Sequence, residues 1–499
     1  MELYILLLII IPIVTAFVIP LLDLIYKKAR KPFIVIAAII ELLIAFIFLI
    51  NKYSEMIAGE LAIRYYLGAW SSEIGITLYM DSFGLVFSLM VSISVFLIII
   101  YSLGFIGHHE GKYYVILFLL WGAMQGSVIT GDIFNLYVFL ELMTITSAAL
   151  ITFKRNRQAA EAAFKYIVYG VLGGVFILLS IFLIYYNVGS LNMEYIARNF
   201  DNINSRMQIT ILAFMLTGIL IKLGVFPFHF WRPKAYAAAP SSITALLSGI
   251  LLNVYLLILI RLFWFIIPFD LILSINLQYF VFYLALLTCT IGHVLALRED
   301  DIKRMLAFST IGHLGMIIAA FALNTTAGFY GGLLHTVTHL IMKTTLFLIV
   351  GYFLQFTGGY HFADFNGIAY KNKGIFIVFV LSAMGMIGIP PLPGFFSKWY
   401  IVKGMLESGH YLAGFLILLL SIIAIFYYLR FILRGYSLVD EENKILSKKL
   451  KQNLTVFYRE RTVLSVIYIF AFFLIMIGVF YDLLTEPLMA SILNILEGF

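Results

Sequence analysis

Three side chains, His335, His339 and Lys343, recur at intervals of four within an otherwise apolar stretch. On a helix each step of four turns the chain by about 40°, so the three form one slowly rotating stripe about 12 Å long. Imidazoles titrate near neutral pH and pass a proton through either nitrogen, and a desolvated lysine beside them can release a proton as well as accept one. Thr336, Thr338 and Thr344 are placed to hold water nearby. Two histidines at this spacing could instead bind a metal or haem, but a metal wants further ligands and the neighbouring ammonium repels a cation, so no metal is expected. Plain hydrogen bonding in a packed core is the other alternative.

A second set has the same chemistry. Glu141, in Phe139-Leu140-Glu141-Leu142, and Lys222, in Ile221-Lys222-Leu223-Gly224, are each flanked by apolar residues. A carboxylate and an ammonium buried together hold or share their charge according to whether a proton is near, although a static packing pair would use the same residues. Lys398 follows the run Gly388-Ile389-Pro390-Pro391-Leu392-Pro393-Gly394. His313, His229 and Asn253 are further candidates, each with a structural alternative, while Lys403 reads as an interface residue.

Only a membrane makes these charges costly enough to need explanation. The chain has 499 residues, 63% of them hydrophobic and 12% charged, with a mean hydropathy of +1.03. That is too little charge to coat a water-facing surface. Apolar runs long enough to span a bilayer recur throughout, near 3–25, 33–50, 81–106, 113–130, 133–153, 165–186, 208–228, 241–266, 274–297, 305–323, 327–356, 375–406, 411–434 and 462–485. The first reads as a retained helix rather than a cleaved signal. The net charge of +7 is spread over short loops and gives no nucleic-acid face. Basic residues concentrate on alternate loops, including Arg232-Lys234 and Arg298-Lys303-Arg304, so that side is expected to be cytoplasmic and both termini outside. The connections near 51–80 and 435–461 are too short for a catalytic domain; the second suits an amphipathic helix on the membrane surface. The lone Cys289 and the absence of phosphate-loop or dinucleotide motifs leave no cofactor to expect, and no enzyme activity of the chain's own.

Six of the 11 prolines flank two interrupted helices, around 222–233 and 388–398. Freed carbonyls in lipid need new partners, so such breaks belong where protein or a wet cavity surrounds them. A lysine precedes the first break and another follows the second. The expected fold is therefore an all-α integral membrane protein of about 14 helices with two inverted five-helix repeats. Its parts would be residues 1–112 (helices 1–3), 113–266 (first repeat), 274–434 (second repeat) and 435–499 (cytoplasmic segment and last helix).

Taken together, the segment from Asp301 to His313, the His335–Lys343 helix, Gly394-Phe395-Phe396-Ser397-Lys398 and Phe226-Pro227-Phe228-His229 resemble the antiporter-like subunits shared by respiratory complex I, Mrp-type cation/proton antiporters and membrane-bound hydrogenase complexes. The segment from Thr130 to Glu141 is most similar to the D-type component of the Mrp antiporters and its hydrogenase relatives. The resemblance covers about residues 75–435. It implies that Glu141 and Lys222 form a coupled pair, that His335, His339 and Lys343 connect onward, and that Lys398 serves the exit half-channel. Many members carry a lysine in the helix after the first break, where this chain has Asn253. The function implied is proton translocation within a multisubunit cell-membrane complex, redox-driven in the hydrogenase-like case. The alternatives are the D-type component of a Mrp-type sodium/proton antiporter or a structural scaffold. The expected partners are other membrane subunits, protons or sodium, and the lipid bilayer.

Overall fold

The computed structural model describes residues 3–57, 61–72, 75–104, 106, 110–437 and 457–481. The chain is a bundle of helices that bury one another's apolar faces. Three precede the first repeat: α1 (Leu3–Ile25), α2 (Arg30–Ile57) and, after a hairpin of β1 (Ala62–Tyr66) and β2 (Thr77–Asp81), α3 (Ser82–Leu103). The first group of five crossings comprises α4 (Glu110–Ile129), α5 (Ile133–Ile151), α6 (Arg157–Val188), a broken span, and another interrupted by π turns. A short α7 (Met193–Asn199) precedes the broken span, which is α8 (Ser205–Leu223) followed by α9 (Trp231–Ala238). The last crossing joins α10 (Ser241–Leu246) to α11 (Leu252–Ile260).

After α12 (Phe269–Ser274) the second group follows: α13 (Leu277–Arg298), α14 (Ile302–Ala322), α15 (Thr326–Thr357), a short α16 (Ile368–Lys371), the broken pair α17 (Lys373–Ile387) and α18 (Pro393–Glu407), and α19 (Tyr411–Tyr436). A final helix, α20 (Phe457–Val479), packs on α15, α3 and α17. Among the described residues thirteen helical segments are long and apolar enough to cross a membrane. The fourteenth crossing is shared by α17 and α18, each too short alone. The amphipathic helix expected near 435–461 lies largely outside the described residues.

Local chemistry fixes the helix starts. Asp81, Asp132, Asn156, Asp301 and Thr325 each accept a backbone N–H from the first turn of the helix they precede. Several of these features recur in register. Asp132 and Asp301, Asn156 and Thr325, and the left-handed glycines Gly189 and Gly358 are separated by the same number of residues, and α6 and α15 are both 32 residues long. Isolated bridges repeat with them, Asp132 to Asn192 and Asp301 to His361. The breaks correspond too: Gly224 (φ 61°) and Gly388 (φ 94°) end α8 and α17 in a conformation that favours glycine, ahead of Pro227 and Pro391. Since each group holds five crossings, the second copy enters the membrane from the opposite side.

Three expectations change. The connection near 51–80 contains an antiparallel hairpin pairing Ala62 with Asp81 through Tyr66 with Thr77; its strands are too short to announce themselves in sequence. Arg232 and Lys303, expected as loop charges, are both buried. Each reaches a helix end: Arg232 donates to the Leu223 carbonyl, and Lys303 Nζ lies 2.7 Å from the Ala239 carbonyl.

Candidate functional site

In the first group the carboxylate comes from the middle of α5 and the ammonium from the last turn of α8. Lys222 Nζ lies 2.8 Å from Glu141 Oε1 and 3.0 Å from Thr144 Oγ1. The lysine side chain is 1% exposed and the glutamate side chain 21%. Small residues make room for them. A Cβ at Gly174 of α6 would stand 2.1 Å from Glu141 Oε1, and one at Gly218 of α8 would stand 2.6 Å from the Gly173 carbonyl. The pair expected from sequence therefore forms, in a slot cut by glycine.

The second group gathers imidazoles. His335, His339 and Lys343 of α15 are fully buried, together with His313 of α14 and His293 of α13. His313 Nδ1 and His335 Nε2 lie 2.9 Å apart, and His335 Nδ1 is 2.8 Å from Ser397 Oγ. The His293 ring is centred 5.2 Å from that of His313, and the His339 ring 5.8 Å from it. Neither nitrogen of His339 has a partner among the described residues. Lys343 Nζ donates to the Leu306 carbonyl at 3.1 Å. Lys398, one residue past Ser397, donates to the carbonyls of Met386 and Ile387, both at 2.9 Å, and to Ser421 Oγ at 3.0 Å. These carbonyls belong to the end of α17, which the break leaves without helical partners.

Between the groups, Asn253 of α11 is buried and donates through Nδ2 to the Thr336 carbonyl at 3.0 Å, while its Oδ1 has no partner among the described residues. His229 is buried between Phe226 and Phe230, with both ring nitrogens unpartnered among the described residues, so it makes no capping bond. Lys403 is half exposed and faces Glu407 at 3.6 Å. Sequence reasoning missed His293, one turn beyond Cys289 on α13. It also missed Glu41 of α2, whose two carboxylate oxygens are buried without partners among the described residues. Both were legible as ionisable residues within apolar runs. A recess of about 230 Å³ at the hairpin, lined by Asp81, Arg261, Arg64, Glu194, Thr130 and Asn192, holds none of the buried row. No group of residues suited to a metal ion occurs among the described residues.

Residues 130–425, which contain every element of this row, match the family model described as NADH:quinone oxidoreductase/Mrp antiporter, TM. The chain belongs to this family. NADH-quinone oxidoreductase subunit N from Desulforudis audaxviator (strain MP104C) is 33% identical over 378 residues, 75% of each chain. Among solved structures, a chain of the membrane-bound sulfane sulfur reductase, an archaeal respiratory membrane complex, superposes with a TM-score of 0.88 at 29% identity, covering 99% of this chain and 98% of that one. A chain of the Mrp complex from Dietzia sp. DQ12-45-1b gives 0.86 at 21% identity, covering 100% and 98%, a likeness of fold. The protein is thus an antiporter-like membrane subunit, and its nearly complete overlap with those chains carries the family's fold across both groups of helices.

Proposed function

We propose that this antiporter-like subunit translocates protons, as one member of a redox-driven respiratory membrane complex. The observation that carries the reading is the succession of ionisable groups, buried save for the partly exposed Glu141, from Glu141 and Lys222, past Asn253, to His339, Lys343, His335, His313 and Lys398. Each charged side chain at membrane depth costs about 2.5–3.5 kcal/mol, and a scaffold has no need of seven ionisable groups there. The repeats are taken as residues 113–266 and 274–434, with helices 1–3 and the last helix outside them. The basic loops are assigned to the cytoplasm and both termini to the outer side. The redox reading leans on the likeness to the sulfane sulfur reductase chain, identical at more positions than the Mrp chain.

A Mrp-type sodium/proton antiporter is the second reading, favoured by the Mrp likeness over the full chain. One preparation separates them. The complex purified through this chain is reconstituted into proteoliposomes, its co-purifying subunits are identified, and lumenal pH is followed while a reductant or a sodium gradient is supplied. Iron–sulfur subunits together with reductant-driven pH change fit the first reading. Only small membrane subunits with sodium-driven pH change would replace it with the second. No proton movement under either drive would sink both.

A further inference from the structure

Arg232 stands apart from this row, yet it ranks among the largest fully buried side chains of the molecule. It begins α9, just past the first break. One Nη donates to the carbonyl of Leu223, the last residue of α8, while Nε and the other Nη have no partner among the described residues. The groups around it are Trp231 and Tyr236 on α9, His229 in the turn before, Tyr166 on α6, Tyr255 on α11 and His339 on α15. Its acidic neighbours among the described residues are phenols, not carboxylates.

The second break has the same construction. Lys398 lies in the second turn of α18 and reaches back to the carbonyls of Met386 and Ile387 at the end of α17. Around it lie Ser421 on α19, Cys289 and His293 on α13, His313 on α14 and His335 on α15. Tyr166 beside Arg232 and His335 near Lys398 occupy equivalent positions in the register that relates α6 to α15. Each break is therefore closed by a cation from its second half, which caps the carbonyls orphaned at the end of the first.

We propose that Arg232 is a positioning residue of the ion path, the fixed counterpart of Lys398, holding a permanent positive charge beside His229 and His339 at the end of the helix that carries Lys222. The inference rests on the proton-translocating reading above. An ammonium can cap a helix end and also give up its proton; a guanidinium caps it and stays charged. The two breaks thus differ in kind. The second can switch. The first cannot, and its constant charge biases where a proton rests on His229 and His339, next to donors that only water can satisfy. It also supplies a central cation where the following helix offers only Asn253.

The test uses the intact complex in proteoliposomes, with transport measured against pH and thermal stability measured alongside. Arg232→Lys keeps a capping donor but makes the site titratable. It is expected to retain stability and to shift the pH dependence of transport by about one unit or more. Arg232→Gln keeps a donor for Leu223 without the charge, and is expected to shift the profile as well. Arg232→Met, which loses the cap, should lower stability. Lys398→Arg should keep stability and lose transport, because the cap remains but the proton cannot leave. A profile for Arg232→Lys, or for Arg232→Gln where the lysine variant does not assemble, that superimposes on the parent would overturn the proposal and reduce Arg232 to a helix cap. Normal transport by Lys398→Arg would instead strike at proton release from Lys398, and so at the reading of function itself.

Discussion

The two groups of helices share a register and differ in how they hold charge. In the first, Lys222 meets a carboxylate; in the second, Lys343 and Lys398 meet, among the described residues, backbone carbonyls and a hydroxyl. The register makes the difference specific. Glu141 of α5 corresponds to Thr310 of α14, which bonds to Ser248 at 2.9 Å, and Gly174 of α6 corresponds to Lys343 of α15. Where one copy places an acid and clears a slot for it, the other places a hydroxyl and fills the slot with a lysine. On the proposed proton-translocating reading, a proton arriving at the first pair redistributes charge between two partners. On the same reading, one arriving in the second group creates a net charge with no carboxylate partner among the described residues, held by imidazoles and helix-end carbonyls. Electrostatics then favours handing it on.

The largest effect is expected at Lys398. Lys398→Ala should stop transport and also leave the Met386 and Ile387 carbonyls without their donor, about 1–3 kcal/mol for each buried group left unmet. Lys403→Ala, on the same helix but half exposed, should be mild. Equal losses in the two variants would show that the break is not special. Glu141→Gln comes next: the complex should assemble and transport fall strongly, because an amide cannot change the charge facing Lys222. Transport at the parental rate would remove the carboxylate from the comparison altogether.

Asn253→Lys probes the junction between the groups. It adds a titratable site whose nearest fixed contact is the Thr336 carbonyl, and the unpartnered Oδ1 leaves an unmet position there. The expected result is folded protein with a raised rate or a displaced pH profile. Degraded protein would mean a dry, packed junction, with the groups joined elsewhere. A subtler probe is Gly174→Ala, whose new Cβ meets the flexible end of Glu141. It should weaken transport at near-parental stability. Gly218→Ala presses instead on the Gly173 carbonyl and should lower the melting temperature, at about 1–3 kcal/mol. If both behave alike, the glycines serve packing rather than the Glu141 slot.

The smallest effect lies outside the membrane, where Arg64 of β1 meets Glu194 of α7 at 2.7 Å and ties the hairpin to the first group. The Arg64 hydrogen bond holds the Glu194 carboxyl below its ordinary value. A depressed carboxylate stabilises the fold above its ordinary pKa, and that contribution disappears as pH falls through the lowered one. Both side chains are more than a third exposed, so the pair contributes at most about 1 kcal/mol. Glu194→Gln should cost a small drop in melting temperature near neutral pH that vanishes in acid, with transport unchanged. A drop that persists in acid would assign the effect to packing.

Much of this molecule follows from the chain alone. Hydropathy over windows of spanning length set the number and order of the crossings, because lipid demands apolar helices with their hydrogen bonds satisfied internally. Ionisable residues inside those windows named Glu141, Lys222, His335, His339, Lys343 and Lys398 for the same reason: a charge at that depth is costly enough to stand out. Beyond the Glu141–Lys222 pair, sequence could not settle which side chains meet. It put Arg232 and Lys303 in basic loops because they lie next to polar neighbours, whereas the fold draws both inward to helix ends that only a three-dimensional break exposes. It passed over His293 because a lone histidine in an apolar helix gains meaning only from the imidazole packed against it across α13 and α14. Type and depth are local properties, fixed by hydrophobicity and spacing. Partnership belongs to the packing of distant helices, and the tertiary structure alone decides it.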